Sequence, residues 1–178
     1  VRSSGAARCG IEKTGGLVTR GVLMDFTGRE TDGGQINQAH LDAWCDEFDV
    51  EVRPGDALII HSGREAWERD HETLWGSPEL DGTLRIPGLA TSSLDFFKDT
   101  DCSMIVWDMM DEVPNEFGVP HTTHAAIFAL GMALLDNALI EPLAMICRES
   151  NRHDFMIVVA PLRIAGGTGS PVNPIALM

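Results

Sequence analysis

The chain has 178 residues, of which 44% are hydrophobic and 22% are charged, proportions that suit one globular domain with a substantial core. Its 27 acidic residues outnumber its 13 basic ones, giving a formal net charge of -14. Such a surface repels phosphate backbones and anionic membranes, so we expect no nucleic-acid partner and no membrane partner. We attribute the acidity itself to solubility.

The four cysteines form no C-x-x-C pair and no zinc-ribbon spacing. Cys45, Cys102 and Cys147 lie within apolar patterns, where a free thiol behaves as a small hydrophobic side chain. No segment approaches the roughly twenty apolar residues of a membrane span, and the first residues lack the apolar core of a signal peptide. These features predict a cytoplasmic location.

The first half of the chain predicts two buried strands separated by a helix. Residues 17–26 form the first strand, and Asn37 caps a helix that runs to Val50. After the Pro54-Gly55 turn, residues 56–61 form the second strand. The following residues 62–88 read as an irregular segment that contains Trp67, Trp75 and Pro78. A long irregular segment in a compact domain is usually functional or disordered.

The second half predicts further alternation of helices and strands. A short helix capped by Thr91 or Ser92 runs to Lys98, with Phe96 and Phe97 partly buried, and residues 102–107 form a third strand. A long helix spans residues 122–135, a shorter one spans residues 141–149, and the last strand covers residues 155–162. Strands that alternate with helices indicate an α/β fold.

His124 and Asp136 place an imidazole and a carboxylate on the long apolar helix. Their separation of about three and a third turns makes them project about 120° apart on a continuous helix. They can share a site only if the helix ends near Leu135 and Asp136 turns back, or if both flank a cleft that the helix crosses. Otherwise His124 is a core histidine and Asp136 a capping residue.

Other polar and aromatic residues are weaker candidates. His121 lies one helical turn before His124, and the pair could bind a metal or could simply form a polar first turn. Trp67 and Trp75 could line a site for a planar apolar substrate, whereas Trp44 on an amphipathic helix is expected in the core. Asp25 is interpreted as a residue whose carboxylate accepts hydrogen bonds within a turn, and Glu112 as a solvated loop residue.

Three patterns resemble the metal-dependent cyclase family, which includes bacterial kynurenine formamidases and isatin hydrolases. The C-terminal run Val-Val-Ala-Pro-Leu-Arg-Ile-Ala-Gly-Gly-Thr-Gly-Ser-Pro-Val-Asn-Pro-Ile-Ala-Leu is the most specific. The second is the run Gly-Asp-Ala-Leu-Ile-Ile at residues 55–60, which is followed after His61 by a Ser-Gly pair. The third is Gly131, which stands seven residues after His124 and five before Asp136.

The resemblance implies a swivelling β/β/α fold, an α/β domain with a barrel-like mixed sheet flanked by helices. It implies that residues 1–178 form a single domain, as the C-terminal part of a longer family domain. It also implies hydrolysis of an amide bond in a small cyclic amide or N-formyl compound by metal-activated water. The implied cofactor is a divalent ion, manganese or zinc, and the implied assembly is a homodimer or higher homo-oligomer.

The resemblance also assigns site residues. Asp136 corresponds to a metal-binding Glu or Gln of the family, and His124 to a second ligand or a catalytic proton carrier. Asn137 corresponds to a small polar residue near the substrate. His121 and Trp75, proposed from their own positions in the sequence and not from the family, are the other expected substrate contacts.

The chain departs from the family in one respect, because it carries no His-x-Gly-Thr-His-x-Asp run. That run supplies most of the family's metal ligands, and one or two ligands alone hold a catalytic ion weakly. Three accounts follow: the sequence is a fragment of a longer enzyme, a separate chain supplies the run, or the protein is a non-catalytic relative that serves as a binding or assembly module.

Overall fold

The computed structural model describes residues 5–31, 34–72, 75, 77 and 87–178. Pro78, predicted within the irregular segment, lies outside these residues. The chain divides into two compact units, residues 1–21 with 154–178 and residues 22–153. The larger unit contains every residue that the sequence analysis assigns to the site.

The elements confirm the predicted α/β class with a mixed sheet flanked by helices. The strands are β1 Leu17–Asp25, β2 Ala57–His61, β3 Gly88–Leu89, β4 Met104–Trp107, β5 Met110–Asp111, β6 Ala133–Leu135, β7 Asp154–Val159 and β8 Ile175–Leu177. The helices are α1 Gln38–Phe48, α2 Arg64–Asp70, α3 Ser93–Asp99, α4 Ala126–Ala129 and α5 Glu141–Ser150, with short 3-10 turns at Ile11–Lys13 and Thr123–Ala125.

Six strands form one sheet in the order β6-β4-β2-β1-β7-β8. Strands β2, β4 and β6 run parallel, whereas β7 and β8 pair antiparallel. Every residue of β2 and β4 is buried, as expected for parallel strands that are covered on both faces. Strands β3 and β5 form a separate parallel pair.

The core of the larger unit contains the three bulkiest of its fully buried side chains, Trp44, Phe97 and Trp107. The core assignment of Trp44 is therefore confirmed. Phe96 and Phe97 are buried, not partly buried as predicted, because α3 packs both rings inward. The predicted Asn37 cap is also confirmed: its side chain accepts a hydrogen bond from the His40 amide in a capping box.

The predicted irregular segment contains a helix that the sequence analysis missed. Helix α2 begins at Arg64, directly after Gly63, whose φ of 89° is left-handed. The amides of Gly63 and of Arg64, the first residue of the helix, donate to the carboxylate of Asp108, which follows β4. Because this cap comes from a residue more than forty positions away, no local pattern in the sequence reveals it.

The predicted long helix over residues 122–135 is wrong. Helix α4 ends at Ala129, and Gly131 takes a left-handed φ of 73°, the conformation that commonly terminates helices. The apolar residues that follow form β6, which pairs with β4 through Met104 and Ala133 at one end and Val106 and Leu135 at the other. A short apolar run is compatible with either a helix or a strand. Here the run forms a strand because it pairs with the edge of β4.

The smaller unit contains the glycine-rich run. Gly166 has a left-handed φ of 71°, a backbone conformation that glycine adopts without steric cost. The Gly166 and Gly167 carbonyls accept hydrogen bonds from the amides of Ala6 and Ile11. The last predicted strand ends at Val159, and β8, which was not predicted, pairs with it.

No helix among the described residues is long and apolar enough to cross a membrane. All four cysteines are free: Cys102 and Cys147 are buried, Cys45 is half-buried and Cys9 is exposed.

Candidate functional site

The carboxyl ends of β4 and β6 bring the two central residues of the site together. Val106 of β4 pairs with Leu135 of β6, so Trp107 and Asp136 follow next to one another at the same edge of the sheet. This edge of a parallel sheet is where open α/β folds commonly place their sites. His124 approaches from the 3-10 turn that precedes α4.

His124 bonds to a carboxylate on each side of its ring. Nδ1 lies 2.6 Å from Oδ2 of Asp111, and Nε2 lies 3.1 Å from Oδ2 of Asp136. The Trp107 indole N–H donates to the other oxygen of Asp136. The predicted meeting of His124 with Asp136 is thus observed, and the break after α4 makes it possible.

Asp111 is the part of this arrangement that the sequence analysis missed. Its side chain is only 3% exposed, and its Oδ1 accepts hydrogen bonds from the backbone amides of Thr123 and His124. These bonds fix the carboxylate, which in turn fixes the plane of the His124 ring. The signal present in the sequence is the series of acidic residues after the third strand, of which the sequence analysis interprets only Glu112.

The two carboxylates make His124 strongly basic. The hydrogen bond with Asp111, followed by that with Asp136, raises the pKa of His124 to about 10, although partial burial acts in the opposite direction. Burial acts to raise the pKa of Asp111, but the hydrogen bond from His124 and the neighbouring backbone amides lower it overall. At neutral pH the pair is therefore an imidazolium with a carboxylate.

Of the three predicted substrate-contact residues, His121 and Asn137 lie beside His124 or Asp136, whereas Trp75 packs against Trp67. His121 is exposed, with a left-handed φ of 60°, and its Nδ1 lies 3.6 Å from Oδ2 of Asp111. Its ring centroid is 5.2 Å from that of His124, so both rings belong to one cluster, although they share no helix face. Asn137 is exposed directly after Asp136.

Trp75 lies in other surroundings. Its ring packs perpendicular to Trp67 on α2, with centroids 5.3 Å apart. Among the described residues, no hydrogen bond or ring contact joins Trp75 to His124. Its role in substrate binding stays a prediction.

The donor atoms fit a divalent cation on the Nε2 side of His124. An imidazole nitrogen and a carboxylate oxygen suit Zn²⁺ or Mn²⁺, and their separation of 3.1 Å allows both to contact one ion in place of the proton between them. Asp111 on Nδ1 occupies the position of the carboxylate that orients many metal-binding histidines. Asp111, His121 and His124 also offer three ligand atoms within 4.8 Å of one another.

Glu112 and Asp25 have structural partners. Glu112 is buried and accepts hydrogen bonds from the amide and hydroxyl of Thr91, so its interpretation as a solvated loop residue is wrong. Asp25 accepts hydrogen bonds from the amide and hydroxyl of Thr27, as expected of a turn-forming residue.

A family model described as "Putative cyclase" matches residues 7–112, more than half of the chain. The chain belongs to this cyclase family. The matched segment includes Trp107 and Asp111 of the site, whereas His124 and Asp136 follow it. No curated protein matches the cyclase chain.

Solved structures agree with this membership. A structure described as a novel cyclase is 26% identical, with a TM-score of 0.79; the match covers 100% of this chain and 61% of the cyclase chain. An isatin hydrolase bound to the product analogue thioisatinate is 17% identical, with a TM-score of 0.70; the match covers 91% of this chain and 60% of the hydrolase chain. A potential metal-dependent hydrolase with cyclase activity is 16% identical, with a TM-score of 0.60; the match covers 90% of this chain and 65% of that hydrolase chain.

The chain therefore spans about three fifths of the length of these relatives. At identities of 16% and 17%, the likeness to the two hydrolases shows a shared fold. Together, the family match and the solved structures identify the domain as a cyclase-family fold.

Proposed function

We propose that this cyclase-family protein takes part in metal-dependent hydrolysis of a carbon–nitrogen amide bond in a small cyclic amide or N-formyl compound. The observation that carries the proposal is the continuous set of contacts from Asp111 through His124 to Asp136. The names of two relatives support it, since one is an isatin hydrolase and another a potential metal-dependent hydrolase.

In this proposal Asp136 and the Nε2 atom of His124 hold the ion, manganese or zinc. A divalent cation, when bound, polarises a carbonyl oxygen and makes water more acidic. Asp111 keeps the Nδ1 proton of His124 in place, so that the Nε2 lone pair would point toward Asp136 once a cation displaces the Nε2 proton. Trp107 holds the Asp136 carboxylate through its indole N–H.

The basicity of His124 limits which proton transfers it can perform. With both carboxylates charged and no cation present, its raised pKa keeps Nε2 protonated at neutral pH. In that state His124 can donate a proton to a leaving nitrogen but cannot accept one from water. Positive charge next to Asp136 opposes the imidazolium, so a cation and the Nε2 proton compete for the same place.

Substrate contacts are proposed from the exposed side of the cluster. His121 and Asn137 are both exposed. Asn137 follows Asp136 in the sequence, and the ring of His121 lies next to that of His124. A polar amide or carboxylate of a small molecule is the group that these two side chains can bind.

Two protein ligands hold an ion weakly, and the chain has no His-x-Gly-Thr-His-x-Asp run. We propose that further ligands come from outside the present sequence. Their sources would be residues equivalent to the two fifths of the relatives that the chain does not span, or another chain. Homo-oligomeric assembly and a cytoplasmic location stay predictions.

The experiment that tests the proposal is hydrolysis of isatin and of N-formylkynurenine in the presence of about millimolar Mn²⁺ or Zn²⁺, with a chelator as the metal-free reference. We expect metal-dependent product formation that falls at least about 100-fold in His124→Ala. The matched control is His71→Ala, because His71 is an exposed histidine stacked on Trp67. Equal rates for wild type and His124→Ala would contradict the proposal.

The absence of the histidine-rich run from the sequence favours a second candidate, a cyclase-fold module that binds a ligand without turning it over. Calorimetry with the same two compounds separates the candidates. Saturable binding without product at any metal concentration indicates the module, whereas metal-dependent product indicates the enzyme.

A further inference from the structure

A second cluster of ionisable side chains lies buried in the larger unit, apart from the contacts of His124. It joins the ends of three elements: Asp25 of β1, His61 of β2 and Glu65 of α2, together with Asp108, which follows β4. The His61 side chain is only 2% exposed and that of Asp108 only 1%. We refer to these four residues as the His61 cluster.

One ring nitrogen of His61 has a partner and the other has none. Nδ1 lies 3.1 Å from Oδ1 of Asp25. Nε2 is buried and makes no hydrogen bond, and it lies 3.8 Å from Oε2 of Glu65 and 3.9 Å from Oδ2 of Asp108. A buried polar atom without a partner is rare and costly, which makes this one a sign of a missing ligand.

Glu65 has a matching atom without a partner. Its Oε1 accepts a hydrogen bond of 2.8 Å from the amide of Ile140, which fixes the side chain. Its Oε2 is buried and makes no hydrogen bond. Two atoms without partners, one on an imidazole and one on a carboxylate, therefore face each other across less than 4 Å.

Charge in the His61 cluster is unbalanced on one side. Asp25 has its own cation, because Nε of Arg148 donates to it at 2.7 Å. Oε2 of Glu65 and Oδ2 of Asp108 lie 3.8 and 3.9 Å from Nε2 of His61, and no guanidinium or ammonium group is paired with either carboxylate among the described residues. Backbone amides of Ser62, Gly63 and Arg64 donate hydrogen bonds to Oδ2 of Asp108, whereas Oε2 of Glu65 accepts none. A cation placed between His61, Glu65 and Asp108 would compensate for the negative charge of the two carboxylates.

We propose that Nε2 of His61, Oε2 of Glu65 and Oδ2 of Asp108 bind a divalent cation, Zn²⁺ or Mn²⁺, at a site separate from that of His124 and Asp136. One nitrogen and two carboxylate oxygens form a ligand set that suits either ion. The three atoms lie within 4.8 Å of one another. Ligands bonded to one such ion at about 2.0–2.2 Å lie about 3.0–3.6 Å apart. Binding therefore requires Oε2 of Glu65 and Oδ2 of Asp108 to move closer to Nε2 of His61 than their present 3.8 and 3.9 Å.

The ion would connect the ends of β2 and β4 to the first turn of α2. Asp108 directly follows Trp107, whose indole holds Asp136 in the first site. Asp25 on Nδ1 would orient the ring, as carboxylates do for many metal-binding histidines. The role of the second ion is structural, because its ligands are buried and only Glu65 retains some exposure, 15% of its side chain.

The test uses the full chain with His121→Ala and His124→Ala together, which removes the nitrogen ligands of the first site. Calorimetric titration with Zn²⁺ is expected to show one ion per chain, and loading is expected to raise Tm by several degrees. Adding Glu65→Gln should weaken binding at least about 10-fold, since it removes the charged ligand while retaining the oxygen that bonds Ile140. Circular dichroism checks that each variant is folded.

The matched control is Glu68→Gln, one helical turn further along α2, where the carboxylate pairs with Arg64. It should bind Zn²⁺ as the parent does. The proposal is overturned if the parent binds no Zn²⁺, or if Glu65→Gln and Glu68→Gln bind it equally well. Neither outcome bears on the proposed hydrolysis, because the parent already lacks His124.

Discussion

Replacing Asp111 with asparagine is expected to lower the metal-dependent turnover by about 100-fold while the protein stays folded. The buried carboxylate of Asp111 holds the His124 ring through a hydrogen bond to Nδ1, and this bond is the largest cause of the rise in the pKa of His124. An asparagine of the same shape can donate to Nδ1, which favours the wrong tautomer and leaves Nε2 protonated. Turnover on isatin, measured with saturating Mn²⁺, checks the result.

The same substitution should change how stability depends on pH. Because the pKa of His124 is raised in the folded state, its stabilising contribution is complete below the unfolded value of 6.5 and is lost as pH rises through about 10. Since the ring is partly exposed, we expect this loss to be about 1–2 kcal/mol. Urea denaturation at pH 6 and pH 10 should show a smaller difference in Asp111→Asn.

The matched control is Glu112→Gln, which alters the neighbouring buried carboxylate that bonds Thr91 and leaves the His124 contacts in place. It should leave the pKa of His124, followed by NMR, near 10. If Asp111→Asn retained wild-type turnover and an unchanged His124 titration, Asp111 would have no positioning role.

The largest effect on stability is expected from Asp108→Asn, with a loss of about 3 kcal/mol in the free energy of unfolding. The Asp108 carboxylate is only 1% exposed and accepts hydrogen bonds from the amides of Ser62, Gly63 and Arg64 and from the Ser62 hydroxyl. The side-chain NH₂ group of an asparagine would face these backbone N–H groups, and two donors cannot bond to each other. The helix α2 would therefore lose part of its cap.

Urea denaturation of metal-free protein measures this loss without interference from an ion. The matched control is Asp99→Asn, an exposed carboxylate at the end of α3, which should change stability by less than about 0.5 kcal/mol. A loss below about 1 kcal/mol in Asp108→Asn would show that the cap contributes little.

Local patterns predicted those parts of the fold in which local forces decide. Helix α1 has its own cap at Asn37 and buries Leu41 and Trp44, and the sequence predicts both the cap and the burial of Trp44. Strands β2 and β4 are continuous apolar runs with the composition of buried parallel strands. Helix α2 and strand β6 depend on distant partners, namely the Asp108 carboxylate and the edge of β4, which no window of sequence contains.

The candidate site shows the same division. Helical geometry alone separates His124 from Asp136 by about 120°, and it was the family offset from Gly131 that paired them. The structure brings them together because Gly131 ends the helix and the register of β6 carries Asp136 to Trp107. Asp111 could not be assigned from sequence, since its contact with His124 depends on how the loop after β5 folds back.

The most direct measurement for the central claim, that His124 and Asp136 bind one cation, is the broadening of histidine ring NMR signals by Mn²⁺. The test is made in Glu65→Gln, in which the second site is weakened. There we expect the His124 signals to broaden at low Mn²⁺ concentrations, and we expect the added substitution Asp136→Ala to abolish that broadening while the protein remains folded. Broadening of His124 that persists unchanged after Asp136→Ala is added, or His124 signals in Glu65→Gln that stay sharp up to millimolar Mn²⁺, would contradict the claim.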